Sequence, residues 1–171
     1  PPKTSRLKDQ VISNFGRGDI DSVLKLYRFE NGFAARAHAK LGWFYYKTGR
    51  FDPSIEHLLY AAIQKISPAV SAETEIDPQY QFASLSDLFS RALNQSVLRE
   101  YLSGSGVFND LYYLASAAFQ AGKPQHASAI WKILSETTLA GRFQELSKRQ
   151  LLKPWMEPYL QIPKQAPSGN R

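Results

Sequence analysis

The spacing of the apolar residues is the feature that most limits what this chain can fold into. In one segment after another they recur three and four positions apart, which places them on one face of an α-helix. No sustained alternation of apolar and polar residues, the pattern of a half-buried β-strand, competes with this spacing. The chain has 171 residues, 43% of them hydrophobic, so it can bury a full core. The sequence therefore predicts an all-α fold in a single domain.

Glycine and proline residues divide this pattern into segments. Pro68 is expected to end one helix near Ile66, because proline cannot donate the backbone hydrogen bond of a helix interior. The polar stretch 67–79 is predicted to be a loop, and SGSG at 103–106 is expected to end the helix before it. A short turn at 154–160 and a flexible tail at 161–171 complete the prediction. The predicted helices are 5–15, one starting at Asp19, 33–48, 52–66, 79–102, 107–121, 124–138 and 139–152.

Two of the glycine turns lie in segments with the same internal spacing. One segment has the order Leu41-Gly42, Tyr45, Gly49, Phe51, Leu58 and Ala61, and the other has Leu114-Ala115, Ala118, Gly122, Pro124, Ala127, Trp131 and Leu134. The stretch GRGDIDSVLKLY at 16–27 is in register with the turn and second helix of a further unit. This pattern resembles the tetratricopeptide repeat (TPR), a unit of about 34 residues made of two antiparallel helices. Ser54 stands where the family usually has an alanine.

The resemblance implies a fold and a binding site. The fold is a right-handed superhelix of stacked antiparallel helix hairpins, a TPR-like solenoid over 1–160 with an irregular insertion at about 67–106. Leu41, Gly42 and Tyr45 map to packing positions of a helix pair, and Phe44 is expected to pack against a neighbouring hairpin. Other first-helix positions line the concave groove in which the family binds peptides. In this sequence they are Lys8, Arg36, Lys40, Trp43, Tyr46, Lys47, Asn109, Tyr112, Ser116 and Phe119.

A basic, aromatic-lined groove suits a partner with acidic or carboxylate groups. Lysine and arginine form charge-assisted hydrogen bonds with carboxylates, and aromatic rings hold apolar side chains. The net charge of +6 and the sequence pI near 9.5 also favour acidic partners. Two other interpretations of the same residues stay open. The basic residues form a merely solvated helix face, or an adjacent hairpin covers Trp43 and Tyr46.

Several classes of chemistry receive little support from the sequence. The chain has no cysteine, which excludes disulfides, thiolate zinc sites and cysteine nucleophiles. Its three histidines form no HExxH or HxH motif, and no phosphate-binding glycine loop is present. His38 and His57 can nevertheless approach each other across their predicted hairpin. We therefore predict no enzymatic activity, no metal site and no cofactor.

The sequence favours a non-catalytic scaffold that binds a protein or peptide. One alternative is a structural assembly subunit that docks through its convex or C-terminal surface, where Leu151, Trp155, Met156 and Tyr159 form a candidate apolar patch. The other is a nucleic-acid-binding helical domain, which the scattered positive charge disfavours. No apolar run reaches the roughly 20 residues that span a bilayer. We interpret the absent cysteines and the start without methionine as favouring a bacterial periplasmic or envelope protein over a cytoplasmic one.

Overall fold

A computed structural model of the protein describes residues 32–156. In this range the chain forms helices and no β-strand, which confirms the all-α prediction for the described residues. Predictions for the segments before residue 32 and after residue 156, including the first predicted helices and the tail, lie outside them. The elements are α1 (Gly32–Lys47), α2 (Phe51–Ile76), α3 (Leu85–Leu93), α4 (Ser96–Ser105), α5 (Val107–Gln120), α6 (Pro124–Glu136), a 3₁₀ helix (Thr138–Ala140) and α7 (Arg142–Leu152).

Helices adjacent in sequence pack against each other, and α5 lies at the centre. α1 pairs with α2, α5 with α6 and α6 with α7, while α2 also packs along α5. The short helix α4 covers parts of α2 and α5. Every residue from 107 to 118 is buried, so α5 is surrounded on all sides. The core of the described domain is therefore built around this one helix.

The α1–α2 pair is closest at Gly42. A Cβ atom on Gly42 would lie 2.6 Å from the Leu58 Cγ atom, so only glycine fits this position without displacing α2. The Ser54 hydroxyl is fully buried and donates a hydrogen bond of 2.8 Å to the Gly42 carbonyl oxygen. Gly49 turns the chain between the helices with a φ of +72°, a conformation that favours glycine. These contacts fix the position of α1 on the domain.

The buried face of α1 differs from the predicted one. Ala35, Ala39, Gly42 and Tyr46 face the core, at the helical spacing of four, three and four residues. The expectation that Leu41 packs in the helix pair is wrong, because its side chain is 42% exposed. Because LGWFYY has aromatic residues on several sides of the helix, its sequence is compatible with more than one buried face. The prediction assigned the face of Leu41 and Tyr45 to the core, next to the face that is buried.

The prediction that Pro68 ends a helix near Ile66 is also wrong. α2 continues through Pro68 to Ile76, and the predicted loop at 67–79 is helical up to that residue. Pro68 cannot donate to the carbonyl four residues before it, but side chains bond to the two neighbouring carbonyls of this turn. The Ser67 hydroxyl donates to the Ile63 carbonyl oxygen at 2.9 Å, and the Tyr101 hydroxyl donates to the Lys65 carbonyl oxygen at 2.8 Å.

The single helix predicted at 79–102 is two helices. α3 begins after Ser84, whose hydroxyl accepts a hydrogen bond from the Asp87 amide, and it ends before the break at 94–95. SGSG ends α4 as predicted, but the helix continues to Ser105 before Gly106 stops it with a φ of +76°. Similarly, the segment predicted as a helix at 139–152 begins with the 3₁₀ helix, and α7 starts only at Arg142.

The buried carboxylate of Glu73 joins α3 and the residue before α4 to α2. Glu73 is 1% exposed, and its carboxylate accepts hydrogen bonds from Arg91 on α3 at 3.0 Å and from Gln95 at 2.7 Å. The Arg91 guanidinium also lies over the Tyr80 ring, 4.6 Å from its centroid. Charge-assisted hydrogen bonds to a buried acceptor are stronger than neutral ones, so Glu73 anchors this part of the chain.

Candidate partner-binding surface

Four of the predicted site residues form one stripe along α1. At about 100° per residue, Arg36, Lys40, Trp43 and Lys47 lie within about 60° of one another around the helix axis. The three basic side chains are exposed, and Trp43 is half-buried against the core. We call these four residues the basic stripe. The structure therefore brings together the part of the predicted site that lies on α1, apart from Tyr46.

Tyr46 does not belong to an open binding surface. Its side chain is 1% exposed and packs edge-on against Tyr113 on α5, with ring centroids 5.1 Å apart, and against Phe51 at 5.8 Å. The expectation that Tyr46 lines a groove is thus corrected, because Tyr46 is the residue through which α1 packs on the central helix. It also orients the neighbouring basic stripe by fixing the rotation of α1.

The predicted groove residues on α5 are not accessible either. Asn109 is 3% exposed, Tyr112 is fully buried and Ser116 is 1% exposed, so these three predictions are corrected as well. The Tyr112 hydroxyl accepts a hydrogen bond from Gln150 on α7 at 3.2 Å, which shows what covers this face. Phe119 is half-buried, with its ring centroid 5.8 Å from that of Trp131. Lys8 lies outside the described residues.

Two exposed apolar side chains flank the basic stripe. Phe44 is 57% exposed and Leu41 is 42% exposed, and both lie on the side of α1 next to Lys40. The expectation that Phe44 packs against a neighbouring hairpin is wrong for the described residues. The run LGWFYY carried the signal for this surface, since one helix cannot bury aromatic residues on every side.

On the side of α1 that faces α2, aromatic rings form a column. The Nδ1 atoms of His38 and His57 are 2.8 Å apart, within hydrogen-bond distance, so the predicted approach of these two histidines is confirmed. The His57 ring stacks on Tyr45 at 5.5 Å, and the His38 ring stacks on Tyr60 at 5.2 Å. The Arg50 guanidinium lies over the Tyr45 ring at 4.7 Å. We call His38 and His57 the histidine pair.

A lysine and an aspartate form an ion pair inside the domain. The Lys65 ammonium on α2 donates to the Asp110 carboxylate on α5, and the side chains are 11% and 0% exposed. Burial raises the pKa of the Asp110 carboxyl from 3.8 to about 6, although the Lys65 charge and a hydrogen bond from Asn109 oppose this effect. The pair ties α2 to the first turn of α5.

The raised pKa of Asp110 makes a prediction about acid stability. Because the folded state holds this proton more tightly than the unfolded state, the stabilising contribution is complete below about pH 4 and is lost as the pH rises through about 6. Relative to Asp110→Asn, the wild type should lose about 2 kcal/mol of unfolding free energy between pH 4 and pH 7. Urea unfolding of both proteins at several pH values measures this difference, and a constant difference would contradict the prediction.

The C-terminal apolar patch is present in part. Leu151 is 40% exposed and Met156 is 55% exposed. Trp155 is half-buried, and its backbone amide donates to the Gln150 side chain at 2.9 Å. Tyr159 lies outside the described residues. The patch therefore contains fewer accessible aromatic groups, within the described range, than the sequence suggested.

Neither a metal-binding cluster of the usual size nor a membrane span is found among residues 32–156. No three histidine, aspartate or glutamate side chains in this range are grouped so as to hold a metal ion. None of the helices described there combines the length and the apolar character needed to cross a bilayer.

Two known proteins are similar to this chain at low sequence identity. The chain is 27% identical over 117 residues to an uncharacterized protein of Treponema pallidum (strain Nichols), a match that covers 68% of this chain and 31% of the relative. It is also 27% identical over 143 residues to an uncharacterized protein of Borreliella burgdorferi (strain ATCC 35210 / DSM 4680 / CIP 102532 / B31), covering 82% of this chain and 42% of that protein. The chain thus spans less than half the length of either relative. No family model and no solved structure matches it.

Proposed function

We propose that this chain is a non-catalytic helical scaffold that binds an acidic protein or peptide through the basic stripe of α1. The observation that carries the proposal is the alignment of Arg36, Lys40 and Lys47 on one exposed face beside Trp43. Such cations attract carboxylates, and exposed Phe44 and Leu41 beside them offer apolar contacts. The proposed site is one face of one helix, which replaces the groove spanning several helices.

The rigid attachment of α1 supports this proposal. Gly42 and Ser54 hold α1 against α2, and Tyr46 holds it against α5, so the spacing of the stripe is fixed before a partner arrives. A preorganised surface loses less conformational entropy on binding than a mobile one. A scaffold that presents side chains on such a helix therefore retains more of its interaction energy as affinity.

We further propose that the helices form a TPR-like solenoid. Support comes from the small residues at the positions that the resemblance gives to helix contacts. Gly42 meets α2 beside Ser54 in the first described hairpin, and Ala115 and Ala127 are fully buried in the hairpin of α5 and α6. The two relatives come from bacteria, which supports the proposal of a bacterial protein.

The test compares two triple variants with the same change in charge. The first variant reverses the charges of the stripe with Arg36→Glu, Lys40→Glu and Lys47→Glu. The control variant reverses three exposed cations on α6, on α7 and directly after α7, with Lys132→Glu, Arg149→Glu and Lys153→Glu. Both variants are first checked for wild-type helicity and melting temperature. Each is then used, beside the wild type, to capture peptides from an array of acidic and neutral sequences.

We expect the stripe variant to lose the acidic peptides and the control variant to retain them, because only the former removes the aligned cations. Equal losses in both variants would mean that net charge alone drives the capture, and equal retention would exclude the stripe as the site. Adding single-stranded DNA as a competitor tests the nucleic-acid alternative. Preferential binding of the DNA over every peptide would contradict the proposal of a protein partner.

A further inference from the structure

The outward side of α1 carries an apolar stripe beside the basic one. At about 100° per residue, Ala37, Leu41 and Phe44 lie within about 60° of one another and about 160° around the helix axis from the buried face of α1. All three are exposed, Leu41 by 42% and Phe44 by 57%. We call these three residues the apolar seam. Their side chains point away from α2 and α5, so the packing of α1 on those helices leaves the seam accessible.

The seam has the spacing of a surface on which helices pack. Its residues are four and three positions apart, as in the seven-residue repeat of helices that pair side by side. The cations of the basic stripe, Arg36, Lys40 and Lys47, follow one edge of the seam with separations of four and seven positions. Charged residues flank the apolar positions of paired helices in the same way and select the partner. The seam and the stripe therefore form one surface with an apolar centre and a basic edge.

The shape of this surface decides which form of partner fits it. An extended peptide binds along the edge of a β-sheet, which pairs its backbone groups, or in a groove, which holds its side chains. Residues 32–156 contain no β-strand, and the seam lies on the convex outer side of a helix. A helical partner satisfies its own backbone hydrogen bonds, so it can pack on another helix through side chains alone. The seam thus fits an α-helix better than an extended segment.

We propose that the partner is an amphipathic α-helix whose apolar face packs on the seam and whose carboxylates pair with the basic stripe. This inference rests on the proposed function and adds to it the secondary structure of the partner and the order of its side chains. Along the axis of α1, Lys40 is about 6 Å from Arg36 and about 10 Å from Lys47. Acidic residues four and seven positions apart on the partner helix match these distances, with apolar residues three and four positions apart beside them.

An anionic membrane is the other partner that combines negative charge with an apolar interior. Helices that lie on membranes present a large apolar face with bulky residues such as tryptophan, phenylalanine and leucine. In the seam, the bulky groups are Leu41 and Phe44, within one turn of each other, and the third residue is alanine. A small residue beside two large ones suits close approach of another helix, whose distance depends on the side chains at the contact. The observations therefore favour the helix.

The test uses two synthetic peptides of the same composition, each about 21 residues long to hold three seven-residue repeats. In the first, leucines recur three and four positions apart and glutamates follow one edge of this stripe. In the second, the same residues are shuffled so that a helix has no apolar face. Fluorescence anisotropy measures the binding of each labelled peptide to the full chain, and circular dichroism reports whether the peptide becomes helical.

We expect the first peptide to bind about tenfold more tightly than the second and to become helical on binding. In the variant with Leu41→Ser and Phe44→Ser, the affinity for the first peptide should fall about tenfold, because an aromatic anchor at the centre of an interface contributes a factor of this size. The control variant, with Val97→Ser and Leu152→Ser, removes two other exposed apolar side chains, on α4 and α7. It should bind like the wild type.

Equal affinity for the two peptides, or no binding of the first, would overturn the helical partner. The proposed function stands apart from this result, since it fails only if charge reversal of the basic stripe leaves the capture of acidic peptides unchanged. Tighter binding to vesicles of phosphatidylglycerol than to the first peptide would assign the seam to a membrane and overturn the inference.

A cross-linking experiment identifies what occupies the seam. With p-benzoylphenylalanine in place of Phe44, irradiation should join the full chain to the first peptide, because position 44 lies at the end of the seam. A cross-link within the same chain, or to a second copy of it, in the presence of this peptide would show that the protein covers its own seam. Either result would overturn the proposal.

Discussion

At pH 8, the variant Lys65→Met is expected to be about 3 kcal/mol less stable to unfolding than the wild type, and at pH 6 the two should be nearly equal. Lys65 is the counter-charge of Asp110, whose carboxylate is fully buried. Methionine retains most of the apolar stem of lysine but removes the ammonium. The variant therefore leaves a buried carboxylate without its cation, one of the costlier defects in a protein interior.

The pH dependence follows from the proton that Asp110 can take up. In the wild type, the Lys65 charge and burial together give Asp110 a pKa of about 6. Without Lys65, the charge that lowers the pKa of the buried Asp110 carboxyl is gone, so this pKa rises further above its usual value. Since the raised folded-state pKa means that stability is lost as the pH rises, the wild type stops losing it near pH 6. The variant continues to lose about 1.4 kcal/mol per pH unit above pH 6 for as long as Asp110 stays protonated in its folded state.

A matched pair of proteins isolates this effect. In the Asp110→Asn background, Lys65→Met should cost the same at pH 6 and at pH 8, because no carboxyl group remains to titrate. Urea unfolding of all four proteins at both pH values gives the required differences. A cost of Lys65→Met that does not change with pH in the Asp110 background would refute the argument. An equal pH dependence in both backgrounds would show that another group is responsible.

The sequence predicted the helices that local signals delimit. α6 begins at Pro124 after Gly122, as the proline-first rule predicts, and the turn at Gly49 has the positive φ expected of a glycine between two helices. Helix ends with such signals depend on the backbone of a few neighbouring residues. The boundaries within 67–106 depend on contacts between distant residues, such as the bond from Tyr101 to Lys65, and were therefore missed.

Among the described residues of the predicted site, the exposed ones lie on α1, for a physical reason. Aromatic and small polar residues at helical spacing occur both in binding grooves and in cores, so the pattern of Asn109, Tyr112 and Ser116 does not distinguish them. Their burial is completed by α7, which covers this side of α5. The apolar and small residues on every side of α5 are the signal that could have predicted a fully buried helix. Arg36, Lys40 and Lys47 were safer predictions, because charged side chains are rarely buried without a partner.

The contact between the two histidines could be predicted from the sequence only in part. The sequence placed His38 and His57 on adjacent helices, so their approach followed from the hairpin once its turn was recognised. The 2.8 Å separation of their Nδ1 atoms did not follow, because it depends on how closely α1 and α2 pack. That closeness is set by Gly42, twelve residues before Ser54 and beside Leu58 in the fold. A single glycine thus links the packing of the domain to the hydrogen bond between its two histidines.

Replacement of that glycine is accordingly expected to have the second large effect. In Gly42→Val, the new Cβ atom would lie 2.6 Å from the Leu58 Cγ atom and 3.1 Å from the Leu58 backbone nitrogen, so the Leu58 side chain or the contact between α1 and α2 must shift. Forcing extra atoms into a packed interface costs about 3 kcal/mol at the upper end of measured cases. Valine offsets little of this, since it is only slightly better than glycine within a helix.

Gly104→Val is the matched control, because Gly104 lies within α4 and a Cβ atom added there would have no side chain or distant backbone atom within 4 Å. Thermal or urea unfolding should show a large loss for Gly42→Val and almost none for Gly104→Val. Equal stability of the two variants would mean that α1 adapts to the added side chain.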